Sequence, residues 1–260
     1  MPLRVLFHEY RNPYLNIAFE ESLARSRSVD LVGDTLRIWR NENSLILGRF
    51  RKVGEDVNLS NASRFGFLIV RRFTGGGTVY HDSGGLNYSI AIKKNVKYPL
   101  DYMYRALLKG TLLALKKLGV RAYLKNTNDV VVSERKVSGT AAAMRWGVLF
   151  LHGSILVNSN LQMLYLLLRI PKVHNFDPVK YRVANLSAFV ETSTEEVADA
   201  LIWGYSRVLS TSHTFEEPLK EELKLANLLC KEKYSREEWN FKGLVDNEGE
   251  LNKKVKDILS

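Results

Sequence analysis

Cysteine is almost absent from this 260-residue chain, which contains only Cys230. A single thiol excludes a disulfide framework within the chain and argues against a zinc site built on cysteine. Cys230 ends the mostly apolar stretch 225–230, so we expect a small buried side chain there, with a catalytic thiolate as the alternative. Covalent catalysis through sulfur therefore has little support in the sequence.

Long hydrophobic runs are also absent. Residues 1–7 lead directly into mixed polar sequence, without the apolar core of a secretory signal. The longest apolar stretches are far shorter than the roughly 20 residues that span a bilayer. We therefore expect a cytoplasmic protein with no membrane association, and 45% hydrophobic residues are enough for a sizeable core.

Several signatures of nucleotide-binding and hydrolytic enzymes are missing. The chain has no Walker loop, no GxGxxG, no GxSxG elbow and no HExxH. Ser138 and Ser154 have no obvious partner base in the sequence. Binding, positioning and electrostatic stabilisation of a reactive ligand are the chemistry that these absences leave.

The charge is strongly basic, with 38 Lys and Arg against 28 Asp and Glu, a formal net charge of +10. A basic balance favours acidic partners, such as nucleotides, nucleic acid or an acidic protein. A nucleic-acid-binding module would explain the charge, and a steep salt dependence of DNA binding without nucleotide binding would identify it. It would leave the ordered motifs described below unexplained, so we consider nucleic acid an improbable partner.

Hydrophobic periodicity predicts a strand-rich part up to about residue 158 and a helix-rich end after it, in one domain over residues 1–260. We predict strands at 35–39, 44–47, 67–72, 78–82, 86–92, 129–132, 136–140 and 148–157, and helices at 12–25, 102–118, 161–168, 194–209 and 216–230. Predicted hairpin turns lie at 83–85 and 133–135, box-like helix starts at 192–195 and 214–217, and an irregular basic stretch at 172–182. Because hairpins dominate, we predict an α+β fold with a mixed, largely antiparallel sheet flanked by helices.

The segment 71–85 combines two arginines with three consecutive glycines. Its candidate ligand-binding residues are Arg71, Arg72, Thr74, Gly75, Gly76, Gly77, Tyr80 and His81. Backbone N–H groups in such a turn can approach an anion closely, and arginine offers paired donors to phosphate or carboxylate. A glycine turn at a sheet corner is the structural alternative, but the neighbouring arginines and histidine favour a binding site.

The second predicted hairpin carries Lys136 beside small residues. The candidate residues are Asn128, Asp129, Lys136, Ser138, Gly139, Thr140 and Ala141. A lysine on a rigid hairpin can hold a compact positive charge at a reacting phosphate or carbonyl, whereas most lysines are simply solvated. Asp129 is either a turn residue or a ligand of Mg²⁺, which favours carboxylates together with phosphate oxygens.

The predicted strand 148–157 contains His152 and Gly153. A lone histidine in an apolar strand is more often a core residue with its hydrogen bonds satisfied. His81 and His152, however, each lie next to a gap in side-chain bulk, which favours a pocket.

These motifs together resemble the lipoate–protein ligase A family, within the biotin/lipoate protein ligase superfamily. The resemblance rests on 71–82, 128–129, 135–141 and 152–156, with further similarity at 12–21, 47–49 and 182–186. It covers roughly residues 8 to 190, in order and at the spacing of that family. A biotin/lipoate protein ligase-like catalytic domain is the fold that it implies.

The resemblance implies a two-step acyl transfer. Lipoate and Mg-ATP would give lipoyl-AMP, and the lipoyl group would then pass to a lysine of an acyl-carrier domain. Lys136 would be the catalytic residue, bridging the lipoyl carbonyl and the α-phosphate. The ligand and its phosphate would be held by Arg72, by Arg71 and by the glycine loop, residues 75–77. Asn128 and Asp129 would place the adenylate and Mg²⁺, and both histidines would line the lipoate tunnel.

The implied partners are lipoyl-accepting carrier domains, either acyltransferase subunits of 2-oxoacid dehydrogenases or H-type proteins of glycine cleavage. Larger relatives continue into an accessory C-terminal domain, which is a separate polypeptide in some archaeal relatives, and we expect too few residues for it here. A separately encoded accessory subunit is therefore a possible partner. An octanoyltransferase of the same superfamily is the alternative enzyme, although it would require a catalytic cysteine near the ligand-binding hairpins.

Overall fold

The structure is a computed structural model that describes residues 1–169 and 182–260. The predicted basic stretch 172–182 therefore lies outside the described residues, apart from Arg182. Within the described part, no helix is long and apolar enough to cross a bilayer.

Eleven strands occur in the described residues and form two sheets. They are Leu3–Phe7 (β1), Thr35–Trp39 (β2), Ser44–Leu47 (β3), Leu68–Arg71 (β4), Val79–His81 (β5), Gly85–Ile92 (β6), Tyr123–Lys125 (β7), Asp129–Val132 (β8), Arg135–Arg145 (β9), Val148–Leu156 (β10) and His213–Phe215 (β11). The large sheet has the order β11-β1-β2-β6-β10-β9-β8-β7, and the small one β4-β3-β5. Only the pairs β1–β11, β1–β2 and β3–β4 are parallel, which confirms the predicted mixed, largely antiparallel α+β fold.

The helices flank these sheets. They are Pro13–Ser28 (α1), Val53–Asp56 (α2), Leu59–Arg64 (α3), Pro99–Tyr102 (α4), Lys109–Lys117 (α5), Leu161–Leu167 (α6), Thr194–Leu209 (α7), Lys220–Leu229 (α8) and Glu248–Leu259 (α9). Wider π-helical turns occupy Met103–Leu107, Cys230–Tyr234 and Glu238–Lys242, and a 3₁₀ turn occupies Leu186–Ala188. The predicted helix 102–118 is therefore continued backwards to Pro99 and interrupted by one π-helical turn.

The predicted hairpin at 83–85 is wrong. Strand β5 pairs with β3 in the small sheet, whereas β6 pairs with β2 and β10 in the large one. Gly84 packs so closely on the next loop that a Cβ there would lie 2.1 Å from the Asn158 carbonyl oxygen. The glycines thus let the chain cross from one sheet to the other. The turn at 133–135 is a true hairpin, with positive φ at Ser133 and Glu134.

The predicted helix starts are also displaced. The capping box of α7 is formed by Ser193 and Glu196 instead of by 192–195. The segment 214–217 is no helix start, because 213–215 pairs with β1 as β11 and the helix begins only at Lys220, after Pro218. The short strands β1, β7 and β11 are not predicted from the sequence, because they depend on hydrogen bonding to neighbouring strands and not on a hydrophobic pattern.

Helix α1 is buried on almost every side, because it lies between the large sheet, β4 and α8. The Asn12 side chain caps it, and Pro13 occupies its first turn as predicted. Its polar residues Asn16, Glu20 and Glu21 are 0% exposed. The other face of the large sheet packs its apolar side chains against α5 and α7 and forms the main hydrophobic core. The helix therefore brings buried polar groups to one face of the sheet only.

Helices α5 and α7 cross at a pair of glycines, and this crossing generates a prediction. A Cβ on Gly204 would lie 2.2 Å from the Gly110 carbonyl oxygen. We expect Gly204→Ala to lower the free energy of unfolding by about 1–3 kcal/mol, since the helices must separate. Gly249→Ala in α9 is the control, because its Cβ meets nothing within 4 Å. Equal unfolding midpoints of the two variants in urea would contradict the close crossing.

Candidate active site

A cavity of about 1030 Å³ lies between the large sheet, the small sheet and α1. Fourteen of the seventeen predicted site residues line it, namely Arg72, Gly76, Gly77, Tyr80, His81, Asn128, Asp129, Lys136, Ser138, Gly139, Thr140, Ala141, His152 and Gly153. Arg71, Thr74 and Gly75 do not line it. Residues that are dispersed along the chain are thus brought to one place.

Strand alternation explains the polar wall of the cavity. Ser154 faces Asn87 and Gly139 on its neighbouring strands, and His152 faces Ser89 and Ala141 in the same way. These side chains share one face of the large sheet. Glycine and alanine opposite the polar residues leave the space that becomes the cavity.

Three buried polar atoms of residues that line the cavity have no hydrogen bond within the described residues. They are Asn87 Oδ1, Ser138 Oγ and Ser154 Oγ. Buried polar groups normally have a partner. Their position indicates that a bound ligand supplies it.

The Lys136 ammonium lies at the cavity and is held over a glycine. Its Nζ is 2.5 Å from Asp129 Oδ1, and its side chain keeps 22% exposure. A Cβ on Gly139 would lie 2.9 Å from both Cε and Nζ of the lysine. The Lys136 N–H donates to the Arg182 carbonyl, and its own carbonyl accepts from the Ala184 N–H. The lysine backbone is therefore fixed on both sides while its charge points at the cavity.

The loop before β8 is conformationally strained next to this lysine. Thr127 has a φ of 70°, which is rare for a β-branched residue. Asn128 follows it, and its amide donates to the Thr140 carbonyl while its own carbonyl accepts from the Thr140 hydroxyl. Such strain clusters at ligand-binding sites, where the surrounding structure maintains it.

Arg72 holds the glycine loop from below. Its Nη2 donates to the carbonyls of Gly75 and Gly77 at 2.5 and 2.8 Å, and its Nη1 to the Ile46 carbonyl at 2.9 Å. Burial lowers the pKa of Arg72 to about 10, so the guanidinium stays charged at neutral pH. Gly76, at the tip, has a φ of 90°. The loop conformation thus depends on a buried charge and on one left-handed glycine.

Arg71 does not take the ligand-binding place that the sequence suggested. Its neighbour faces the cavity, so strand alternation turns Arg71 to the opposite side. There its guanidinium donates to six backbone carbonyls, those of Gly48, Arg49, Arg51, Trp239, Asn240 and Phe241. Arg71 therefore connects the end of β3 to the C-terminal segment.

The two histidines differ in their environment. His81 is buried against the Trp39 ring, and its Nδ1 lies 3.3 Å from the Asn41 amide nitrogen. Burial lowers the pKa of His81 to about 3, so its ring is uncharged at neutral pH. His152 Nδ1 lies 2.9 Å from the Glu20 carboxylate, and its Nε2 lies 2.7 Å from Thr74 Oγ1. His152 therefore sits inside a polar network, whereas His81 contributes a neutral ring.

Gly153 and Tyr80 have mainly structural contacts. A Cβ on Gly153 would lie 2.5 Å from the Tyr88 hydroxyl, so this glycine makes room for an aromatic ring of the core. The Tyr80 hydroxyl donates to Asp82 at 2.9 Å, and its ring stacks on Phe67. Both residues line the cavity, but the space beside Gly153 is filled by Tyr88 and the Tyr80 hydroxyl is bonded to Asp82.

Several residues that line the cavity are not among the predicted site residues. They include Glu20, Trp39, Ile46, Arg51, Asp56, Asn87 and Ser154. Glu20 had one usable signal, an acidic residue next to the apolar face of a predicted helix. Asn87 and Ser154 lie at the cavity because of the register in which the strands pair, and the sequence alone does not specify that register.

Asp129 is the carboxylate that the sequence suggested for a magnesium ion, and its Oδ1 is paired with the Lys136 ammonium. The described residues contain no group of three or more His, Cys, Asp or Glu that could hold a metal. Mg²⁺ is commonly bound by one or two carboxylates together with phosphate oxygens, so Asp129 fits the ion only if a phosphate ligand completes the site. Bound magnesium would neutralise phosphate charge there.

Cys230 lies away from the cavity. It is partly buried against the C-terminal cluster of apolar residues, and burial raises the pKa of its thiol. A raised pKa disfavours the thiolate form that a nucleophile needs. The cavity itself contains no cysteine.

The fixed Lys136 ammonium and the arginine-held glycine loop suit an anionic small molecule. A family model described as the lipoyl protein ligase A/B catalytic domain matches residues 12–205. The chain belongs to this family.

Individual relatives agree with the family. The chain is 34% identical to lipoate-protein ligase A subunit 1 of Thermoplasma acidophilum, covering 91% of this chain and 95% of the relative. It is 28% identical to octanoyltransferase LipM of Anoxybacillus flavithermus, with coverage of 89% and 95%. The relatives of this chain thus include both lipoate-protein ligases and an octanoyltransferase.

Solved structures show the same fold. A lipoate-protein ligase A bound with ATP has a TM-score of 0.86 and 33% identity, covering 94% of this chain and all (100%) of the other. A putative lipoate protein ligase of T. acidophilum with bound lipoic acid has a TM-score of 0.84 and 33% identity, with coverage of 93% and 100%.

The glycine loop supplies a second prediction. A Cβ on Gly76 would lie 2.9 Å from Arg72 Nη2 and would require a left-handed alanine. We expect Gly76→Ala to cost about 1–2 kcal/mol of unfolding free energy. Gly77→Ala is the matched control, because its Cβ has nothing within 4 Å. If urea unfolding midpoints rank the two variants equally, Arg72 does not define the loop.

Proposed function

We propose that this chain is an ATP-dependent lipoate–protein ligase. It activates lipoate with ATP to lipoyl-AMP and transfers the lipoyl group to a specific lysine of an acyl-carrier domain. The observation that carries the proposal is the Lys136 ammonium, held over Gly139 beside Asp129 at a cavity whose lining includes buried polar atoms without a hydrogen-bond partner. Relatives with ATP and with lipoic acid bound support both ligands.

The cavity residues suggest how the reaction is assisted. Lys136 offers one compact positive charge that stabilises the carbonyl oxygen and the α-phosphate as negative charge develops. The glycine loop held by Arg72 binds the phosphate end of the ligand, and Asn128 and Asp129 bind the adenylate. The rings of His81 and His152 border the acyl chain. Acceleration then comes from positioning and charge, with no covalent enzyme intermediate.

Transfer through a thiol is the competing mechanism, that of an octanoyltransferase. The similarity of this chain to the octanoyltransferase LipM supports an acyltransferase activity at the level of the superfamily. The single thiol of the chain, Cys230, lies outside the cavity and has a raised pKa. The geometry therefore favours the ligase, in which an adenylate replaces the thioester.

Lys136→Ala tests the assigned charge. We expect both adenylate formation and transfer from preformed lipoyl-AMP to fall by about 10²-fold or more, because the developing negative charge loses its stabilising group. Release of pyrophosphate and mass spectrometry of the acceptor measure the two steps.

Two control variants accompany Lys136→Ala. Lys93→Ala removes an ammonium that pairs with Asp30 at the surface, and Cys230→Ser removes the only thiol. Both should retain activity. A Lys136→Ala enzyme that keeps most of its activity would refute the role of the lysine, and loss of activity in Cys230→Ser would favour the transferase.

We further propose that a lipoyl-accepting carrier domain and a second subunit are its partners. The Thermoplasma acidophilum relative described above is named a subunit 1. A related solved structure is that of a bi-partite lipoate protein ligase and its E2 lipoyl domain. Acyltransferase subunits of 2-oxoacid dehydrogenases and H-type glycine-cleavage proteins are the acceptors that we propose.

The two half-reactions separate the roles of these partners. The purified chain should transfer the lipoyl group from preformed lipoyl-AMP to a lipoyl domain, yet form lipoyl-AMP from free lipoate and ATP slowly. Adenylate formation by the chain alone at the rate of transfer would exclude a required second subunit.

A further inference from the structure

A continuous chain of buried hydrogen bonds connects α1 to the glycine loop. Glu20 contacts His152 Nδ1 at 2.9 Å, His152 Nε2 contacts Thr74 Oγ1 at 2.7 Å, and Arg72 Nε donates to the same Oγ1 at 2.9 Å. Arg72 then holds the loop carbonyls as described above. These four side chains are 0%, 9%, 0% and 2% exposed in that order.

The donors and acceptors of this chain fit one proton arrangement. The Arg72 Nε always donates, so Thr74 Oγ1 accepts there and keeps its own proton to give to a second partner. An ionised Glu20 accepts from His152 Nδ1, which makes Nε2 of a neutral ring the acceptor of the Thr74 proton. Burial acts to raise the pKa of Glu20, but the hydrogen bonds from His152 and Ser89 and the positive charge of Arg37 contribute to a net lowering of that pKa. The Nδ1–H of His152, the Thr74 hydroxyl and the Nε–H of Arg72 then each have an acceptor.

The chain also continues behind the carboxylate. The Ser89 hydroxyl donates to Glu20, and the Trp39 indole N–H donates to Ser89 Oγ at 3.2 Å. Trp39 also lines the cavity. The carboxylate thus lies in the middle of a network that borders the cavity.

We propose that Glu20 is a positioning residue for the glycine loop, acting through His152 and Thr74 on Arg72; this inference rests on the function proposed above. By accepting from Nδ1, Glu20 fixes the tautomer of His152. That tautomer directs the Thr74 hydroxyl proton away from Arg72 and leaves its lone pair for the guanidinium. The loop that binds the phosphates of ATP is therefore maintained by a carboxylate on another element.

A double-mutant cycle on ATP affinity tests this proposal. Glu20→Gln replaces an acceptor-only carboxylate with an amide that can also donate to His152 Nδ1, so the tautomer is no longer fixed, and Thr74→Val removes the hydroxyl. Both changes are small in size, and we expect each to weaken ATP binding about tenfold in calorimetry. Because both act on one path, the double variant should also weaken binding only about tenfold, instead of the hundredfold of independent sites. Thr74→Ser keeps the hydroxyl and should bind ATP like the wild type.

Ser89→Ala provides the matched control. It removes a hydrogen bond to the same carboxylate but leaves the contacts from Glu20 through His152 and Thr74 to Arg72 in place, so it should bind ATP almost as tightly as the wild type. The ¹⁵N shifts of His152 should show the neutral Nδ1–H tautomer in the ligand-free wild type and a different distribution in Glu20→Gln. Lipoate affinity should change much less than ATP affinity in Thr74→Val.

The possible outcomes separate the proposal from the function on which it rests. Wild-type protein that binds neither ATP nor lipoate overturns the ligase function and this proposal together. If the wild type binds ATP, multiplicative effects of Glu20→Gln and Thr74→Val overturn the positioning role alone. The same holds if His152 carries its proton on Nε2, or if Glu20→Gln weakens only lipoate binding, since Glu20 would then be a ligand contact.

Discussion

Two consecutive buried carboxylates, Glu20 and Glu21, constrain most of the molecule. An ionised carboxylate without partners cannot remain in a protein interior, so each requires compensation from a different direction. Glu20 turns to His152 and Ser89 at the cavity. Glu21 turns to Lys233, Arg25 and the Tyr234 hydroxyl. Burial would raise the pKa of Glu21, but Lys233 and Arg25 outweigh it and lower the pKa to about 2. Helix α1 thereby fixes both the cavity wall and the C-terminal segment.

Arg71 and Arg72, at the end of strand β4, are likewise two consecutive buried charges whose partners lie in different directions. Alternation sends the guanidinium of Arg72 to the glycine loop and that of Arg71 to the carbonyls around Trp239. The C-terminal segment contacts the end of β3 on one side of β4, and the ligand loop is held on the other. The Lys233 ammonium lies 4.1 Å from the Trp239 ring centre, which connects the ion pairs of Glu21 with the segment whose carbonyls Arg71 binds. The cavity is therefore supported by residues that never touch it.

The cavity joins charge with rigidity, and no cysteine lines it. Lys136 is fixed by β9 pairing, by Asp129 and by the backbone of 182–184. A positive charge held in this way needs no reorganisation when negative charge develops on a ligand. A neutral His81 beside Trp39 keeps that part of the wall suitable for an acyl chain. These features are those that an acyl-adenylate enzyme needs, and the family relationship agrees with them.

The sequence by itself determined the strand-rich order, the α+β class, the glycine loop and the lysine hairpin. Local periodicity and turn chemistry specify such features, and the order of the motifs carried the family resemblance. Only the tertiary structure decided that Arg71 turns away, that 83–85 connects two sheets, and that Glu20 joins the site. Those outcomes depend on which face of a strand or helix is buried and on which strands pair. Contacts between residues more than a hundred positions apart, such as Glu20 with His152, form only when the chain is folded, so no local pattern encodes them.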